Sequence, residues 1–325
     1  MKKKNQLLFS VAICCLSLFV VTNLSTVAEE ETGTSAVPYY ESKPKPPMPK
    51  PQPSAMQPPV RKPGVSSMGR IKVPPPSAAS NGVIYAIADN GDLLWFRHDG
   101  RGDGSFRWTD NNARKVGVGW NMKHVFSGGD GVIYAIADNG DLLWFRHDGR
   151  GDGSFKWTDN NARKVGVGWN MKHVFSGGDG VIYAIADNGD LLWFRHDGRG
   201  DGSFKWTDNN ARKVGVGWNM KHVFSGGDGV IYAIADNGDL MWFRHDGRGD
   251  GSFKWAASQG KKVGIGWGEF KQVFSGGDGV IYGVTINGDL MWYRHDGRAD
   301  GSFRWAAPQG KKVGIGWNMQ HVFSG

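Results

Sequence analysis

The chain has 325 residues, a net charge of +8, 39% apolar residues and 50 glycines. The charge sits outside the repetitive part: residues 1–28 carry three lysines and no acid, and residues 29–80 carry seven basic and four acidic residues. The remainder is close to neutral, which excludes a basic face and with it nucleic acid as a partner.

Residues 1–28 read as a signal peptide. Lys2–Lys4 precede an apolar run over residues 7–21, and small residues around Thr26-Val27-Ala28 suit a cleavage site. An uncleaved anchor is the other reading, but the apolar run is short for a spanning helix. Both cysteines, Cys14 and Cys15, lie in this leader, so the mature chain is expected outside the cell or at its envelope without disulfides. Residues 29–80 read as a linker. Thirteen of the 14 prolines precede Asn81, and the KPKPPMPKPQP segment favours an extended polyproline conformation with no apolar period to drive a core.

Residues 81–325 are one motif written five times, at 82–130, 131–179, 180–228, 229–278 and 279–325. A fixed period near 49 residues is the mark of a repeat architecture. Each unit holds four strand-like runs. The first, Val83–Ala88 (Val-Ile-Tyr-Ala-Ile-Ala), is rich in β-branched and aromatic residues. Asn90-Gly91-Asp92 follows as a hairpin turn, because Asn and Gly accept positive φ. In the next run Leu94 and Phe96 alternate with Trp95 and Arg97, so the two faces differ. Residues 99–105 are too glycine-rich for regular structure and read as a loop. A third run covers residues 114–118, and a fourth, 124–127, leads through Gly128-Gly129-Asp130-Gly131 into the next unit.

Four antiparallel strands per unit predict an all-β fold, a five-bladed β-propeller in which each sheet covers the next. The chain enters the repeats with what reads as a second strand and ends with what reads as a first strand. One blade built from both ends would close the ring without a free edge.

The run Val116-Gly117-Val118-Gly119-Trp120, then Val125-Phe126, then Gly131-Val132-Ile133-Tyr134-Ala135-Ile136 resembles the repeat of the tachylectin-2-like family of β-propeller lectins. The WFRHDGRGDGSFRW segment is similar to bacterial members of that family. The resemblance covers three quarters of the chain. It implies five blades, no catalysis, no cofactor, and shallow sites for N-acetylated amino sugars such as GlcNAc or GalNAc at each blade or blade junction. Two departures bear on ligand choice. A Phe three residues after the Gly-Trp element is present only in Trp267-Gly268-Glu269-Phe270, and the family's Asp-Asn-Trp element is here Asp103-Gly104-Ser105-Phe106-Arg107-Trp108.

On that basis the expected sugar-binding set is Asp103, Trp108, Trp120 and Asn121 with their repeats: Asp152, Trp157, Trp169 and Asn170; Asp201, Trp206, Trp218 and Asn219; Asp250, Trp255 and Trp267; Asp300, Trp305, Trp317 and Asn318. For the tryptophans two readings stand together: inter-blade packing, or an indole platform for the apolar face of a pyranose. Trp95 and its repeats lie inside a strand and read as packing. Asp103 reads either as a ligand for hydroxyls or as the holder of its own turn. Calcium is disfavoured in these loops, because Arg101 stands where an oxygen ligand is needed and no Glu closes them.

The Arg101-Gly102-Asp103 tripeptide matches a cell-adhesion motif, but three residues match by chance and the repetition follows from copying. His98-Asp99 invites a general-base reading, yet no nucleophile or paired carboxylate accompanies it. His98 is expected to face the loop and touch ligand, and His124 to line the central channel. The reading is a secreted, multivalent, monomeric lectin for cell-surface, cell-wall or envelope glycans. The alternative is an extracellular protein-binding scaffold or adhesion module. Altered loops at Ala256-Ala257-Ser258-Gln259 and Ala306-Ala307-Pro308-Gln309 make the fourth and fifth copies unlike the first three.

Overall fold

The computed structural model describes residues 82–325 except 111, 160 and 209. The leader and linker expected over residues 1–80 lie outside the described residues. Within them the chain forms five four-stranded antiparallel sheets. One complete blade comprises His124–Gly129, Val132–Ile136, Leu142–Arg146 and Arg163–Gly166. The blades that follow begin at His173–Gly178, His222–Gly227 and Phe270–Gly277. The fifth is split: His321–Ser324 pairs with Val83–Ile87, which continues into Leu93–Arg97 and Arg114–Gly117. The sheets are therefore offset by one strand from the sequence units. First strands neighbour one another round a closed circuit, and His321–Ser324 lies beside both Phe270–Gly277 and His124–Gly129.

Local chemistry explains each sheet. In the Val132–Ile136 hairpin, Gly140 adopts φ +81° and its N–H returns to Ala137 O at 2.9 Å. Asn139 Oδ1 accepts from Asp141 N–H, so the turn is tied twice. Every residue of Val132–Ile136 is essentially inaccessible. Their period-two alternation divides the side chains between two interfaces: Val132, Tyr134 and Ile136 pack toward the following blade, while Ile133 and Ala135 pack toward the preceding one. Five such clusters fill the five blade interfaces.

Polar bonds lock neighbouring blades in register. Trp95 Nε1 donates to Arg150 O at 2.9 Å, and Tyr85 Oη donates to His147 Nδ1 at 2.7 Å. Gly153, at φ +68°, lies flat on the Trp95 indole, where a Cβ would sit 2.5 Å from Cε3. These contacts recur in the other repeats.

The glycine-rich loop is more regular than expected. Asp148–Gly151, Asp197–Gly200 and Asp246–Gly249 each form one turn of 3-10 helix, because the chain folds back tightly enough for Asp152 N–H to reach Gly149 O. The altered fourth copy pairs its loop into the sheet, so Trp255–Gly264 runs as a single ten-residue strand.

Candidate binding grooves between blades

The strands set two opposite ends on each blade. The Asn-Gly-Asp hairpin and the Gly-Trp connection share one end, where Trp169 N–H donates to Gly140 O at 2.9 Å. The 3-10 loop and the Gly-Gly-Asp-Gly hairpin share the other, where Arg199 reaches Asp130 at 2.7 Å.

The expected site residues fall on both ends. Asp103, Asp152, Asp201, Asp250 and Asp300 lie at the loop end. Asp103 accepts from Ser105 Oγ at 2.7 Å and from Ser105 N–H at 3.0 Å, and these bonds hold its carboxyl below the usual carboxylate range. Equivalent bonds run from Ser154, Ser203, Ser252 and Ser302. Each Asp thereby braces its own turn.

Trp120, Trp169, Trp218, Trp267 and Trp317 lie at the hairpin end, each 5% exposed. Each meets the second recurring indole of the next blade. Ring centroids are 5.8 Å apart for Trp120 and Trp157, 5.7 Å for Trp169 and Trp206, 5.8 Å for Trp218 and Trp255, 5.7 Å for Trp267 and Trp305, and 5.6 Å for Trp317 and Trp108. Trp108 Nε1 is committed to Val313 O and Trp157 Nε1 to Val116 O, both at 2.8 Å. Asn121, Asn170, Asn219 and Asn318 place their amides over Gly91, Gly140, Gly189 and Gly288 of the hairpin turns, and Gly268 replaces this Asn in the fourth copy.

At this end a groove opens between adjacent blades. One of about 350 Å³ lies beside Trp218 and Met220 and is completed by Asn237, Asp239, Met241 and Phe243 of the next blade. A second, of about 390 Å³, lies between Phe270 and the hairpin of Thr285, Asn287 and Asp289. Met and aromatic floor residues recur at three further junctions: Met122 with Phe145, Met171 with Phe194, and Met319 with Phe96. Asp239 accepts from Asn237 Nδ2 at 3.1 Å and pairs with exposed Lys262 at 3.1 Å. A solvated pair of this kind is weak, so the carboxylate keeps acceptor capacity toward a ligand. Reading the sequence assigned Asn237 and Asp239 to a turn alone. The overlooked signal was that a floor Met in one unit recurs one unit ahead of its Phe.

One expectation needs correction. His98 does not face a ligand: it is 1% exposed, its Nε2 donates to Ser105 O at 2.9 Å, and its Nδ1 accepts from Tyr282 Oη at 2.7 Å. Both nitrogens are occupied, which removes it as a general base. The arginine of the Arg-Gly-Asp tripeptide is not displayed either. Arg199 Nε donates to Gly128 O at 2.6 Å and its guanidinium pairs with Asp130, with its side chain 21% exposed. His124 opens a first strand, has His173 and His321 for neighbours, and bonds Met171 O at 3.1 Å. Among the described residues no three His, Cys, Asp or Glu side chains converge to hold a metal.

A closed ring of five four-stranded blades defines a five-bladed β-propeller. The Tachylectin family model matches residues 77–220 and 199–325, and the chain belongs to that family. No curated protein sequence matches it closely enough to define a relative. Among solved structures it is similar to yeast RCC1 (Prp20) bound to Kap60, at 12% identity and a TM-score of 0.35 over 66% of this chain and 55% of that one. It is also similar to the Aleuria aurantia lectin in complex with α-methyl-L-fucoside, at 18% identity and a TM-score of 0.38 over 72% and 76%. The chain thus spans about half the length of the yeast protein.

Proposed function

We propose that the chain is an exported, multivalent carbohydrate-binding protein, with one saccharide site in each inter-blade groove and N-acetylated amino sugars as ligands. The observation that carries this reading is the junction groove itself. An apolar Met and aromatic floor lies beside an Asn-Gly-Asp turn, as at Met220, Phe243, Asn237 and Asp239. Such a floor suits the C–H face of a pyranose, and the turn supplies acceptors and an amide for its hydroxyls and acetamido group. A single shallow groove binds weakly. Several on one rigid ring raise avidity toward a multivalent surface by about 10²–10⁴. Membership of the Tachylectin family supports the same reading.

A glycan array probed with the whole ring tests it. Saturable binding to N-acetylhexosamine glycans is expected, at least tenfold weaker after Asp92→Asn, Asp141→Asn, Asp190→Asn, Asp239→Asn and Asp289→Asn are combined. Absence of glycan binding overturns the proposal. The protein-scaffold reading has one observation of its own: Phe106, Phe155, Phe204, Phe253 and Phe303 stand 61–65% exposed in the loops at the opposite end. A captured protein partner lost on changing these five to Ser would favour it.

A further inference from the structure

The junction between the third and fourth blades is built differently from the others, and the differences are coupled. Phe270 takes the place of the Met found at the other four junctions, and Tyr293 takes the place of Phe. The Phe270 and Tyr293 rings meet edge to face with centroids 5.9 Å apart, and Trp267 lies 5.5 Å from Phe270. The larger ring needs space. In the other blades the second strand carries a buried alanine at this position (Ala86, Ala135, Ala184, Ala233), whereas here it carries Gly283. A Cβ on Gly283 would sit 2.7 Å from Phe270 Cδ1. Thus the glycine makes room for the aromatic wall.

The lip of the same groove is changed as well. Asp89, Asp138, Asp187 and Asp236 occupy the exposed hairpin position in the first four units, and Ile286 replaces them in the fifth. Ile286 is 76% exposed, more than any other large apolar residue described, and it lines this groove of about 390 Å³. A β-branched apolar residue has no conformational reason to stand at a turn tip in water. What it adds is apolar surface next to Phe270 and Tyr293, where the other units place a charge.

We propose that the groove between the third and fourth blades is a distinct binding site, selective for a saccharide that carries an apolar substituent such as an aryl or acyl group. The pyranose occupies the floor, as at the other junctions, and the substituent lies against Ile286 and the Phe270 ring. The ring then displays four sites of one kind and one of another. This rests on the reading of the grooves as saccharide sites.

Isothermal titration of the full chain with phenyl and methyl glycosides of N-acetylglucosamine tests it. One site per chain is expected to bind the phenyl glycoside about tenfold tighter than the methyl glycoside, equivalent to about 1.4 kcal/mol, with no such preference at the other sites. Ile286→Asp, which restores the residue of the other units, should abolish that preference while leaving methyl glycoside binding intact. Gly283→Ala, which displaces Phe270, should weaken it, and a thermal melt of this variant separates lost selectivity from lost folding. Methyl glycoside binding with equal phenyl preference at all sites, or a preference that survives Ile286→Asp, overturns the inference and leaves the lectin reading standing. Binding of neither glycoside overturns both.

Discussion

Lowering the pH from 7.5 to 5.5 should destabilise the ring steeply, and histidine is the cause. His98, His147, His196, His245 and His295 are each 1% exposed at a blade junction. In each, Nδ1 accepts from a Tyr hydroxyl of a neighbouring blade at 2.7 Å while Nε2 donates to a Ser carbonyl. These partners fix the tautomer of the neutral ring: the Ser carbonyl requires Nε2–H, which leaves Nδ1 to accept from the tyrosine O–H. Burial holds all five below the ordinary histidine value of 6.5. The folded state therefore binds fewer protons than the unfolded chain at mildly acid pH. The stability is fully present above 6.5 and is lost as pH falls toward the folded value. At pH 5.5 an unfolded histidine gains about 1.4 kcal/mol from protonation, so five that stay neutral in the ring set a ceiling near 7 kcal/mol, comparable to the whole stability of a typical domain. Urea unfolding at pH 7.5, 6.5 and 5.5 measures the effect. An unchanged or higher midpoint at pH 5.5 would refute the neutral-histidine assignment.

Other outcomes follow from the same contacts. Tyr134→Phe removes the donor to buried His196 and should cost about 1–3 kcal/mol, read as a lower urea midpoint at unchanged slope. Gly153→Ala forces a Cβ to within 2.5 Å of the Trp95 ring at φ +68° and should destabilise by more than 1 kcal/mol, whereas Gly151→Ala, with nothing within 4 Å of its Cβ, should melt within about a degree of the parent. Deleting residues 318–325 removes the strand paired with Val83–Ile87 and exposes a buried edge, so calorimetry should show a collapse of the melting transition. A deletion variant that melts like the parent would show that the split blade is not what closes the ring.

The fold was legible because every level of the repeat agreed. Asn139-Gly140 marked the turn, the β-branched and aromatic residues of Val132–Ile136 marked a strand, and a split blade was implied by where the repeats start and stop. The site was less legible because chain proximity misleads in a blade. Asp103 and Trp120 are neighbours in sequence, but the strand Arg114–Gly117 carries the chain from one end of the blade to the other between them. Conversely, Met220 and Phe243 belong to successive units and share a floor only because blades are offset from repeats by one strand. His98 shows the same limit: nothing near it in sequence announces Tyr282, which occupies its Nδ1.

The split blade also dictates an order of events. Four sheets can form from contiguous stretches as soon as each emerges, but Ala86 must wait for Val322. That pairing has the largest loop-closure entropy in the molecule and nucleates nothing until the other blades hold the two strands near each other. Ring closure should therefore be the last and slowest step of refolding. A circular permutant opened at residue 119, with Gly325 joined to Gly82, would make every sheet contiguous and remove that phase, at the cost of a junction held by side chains alone.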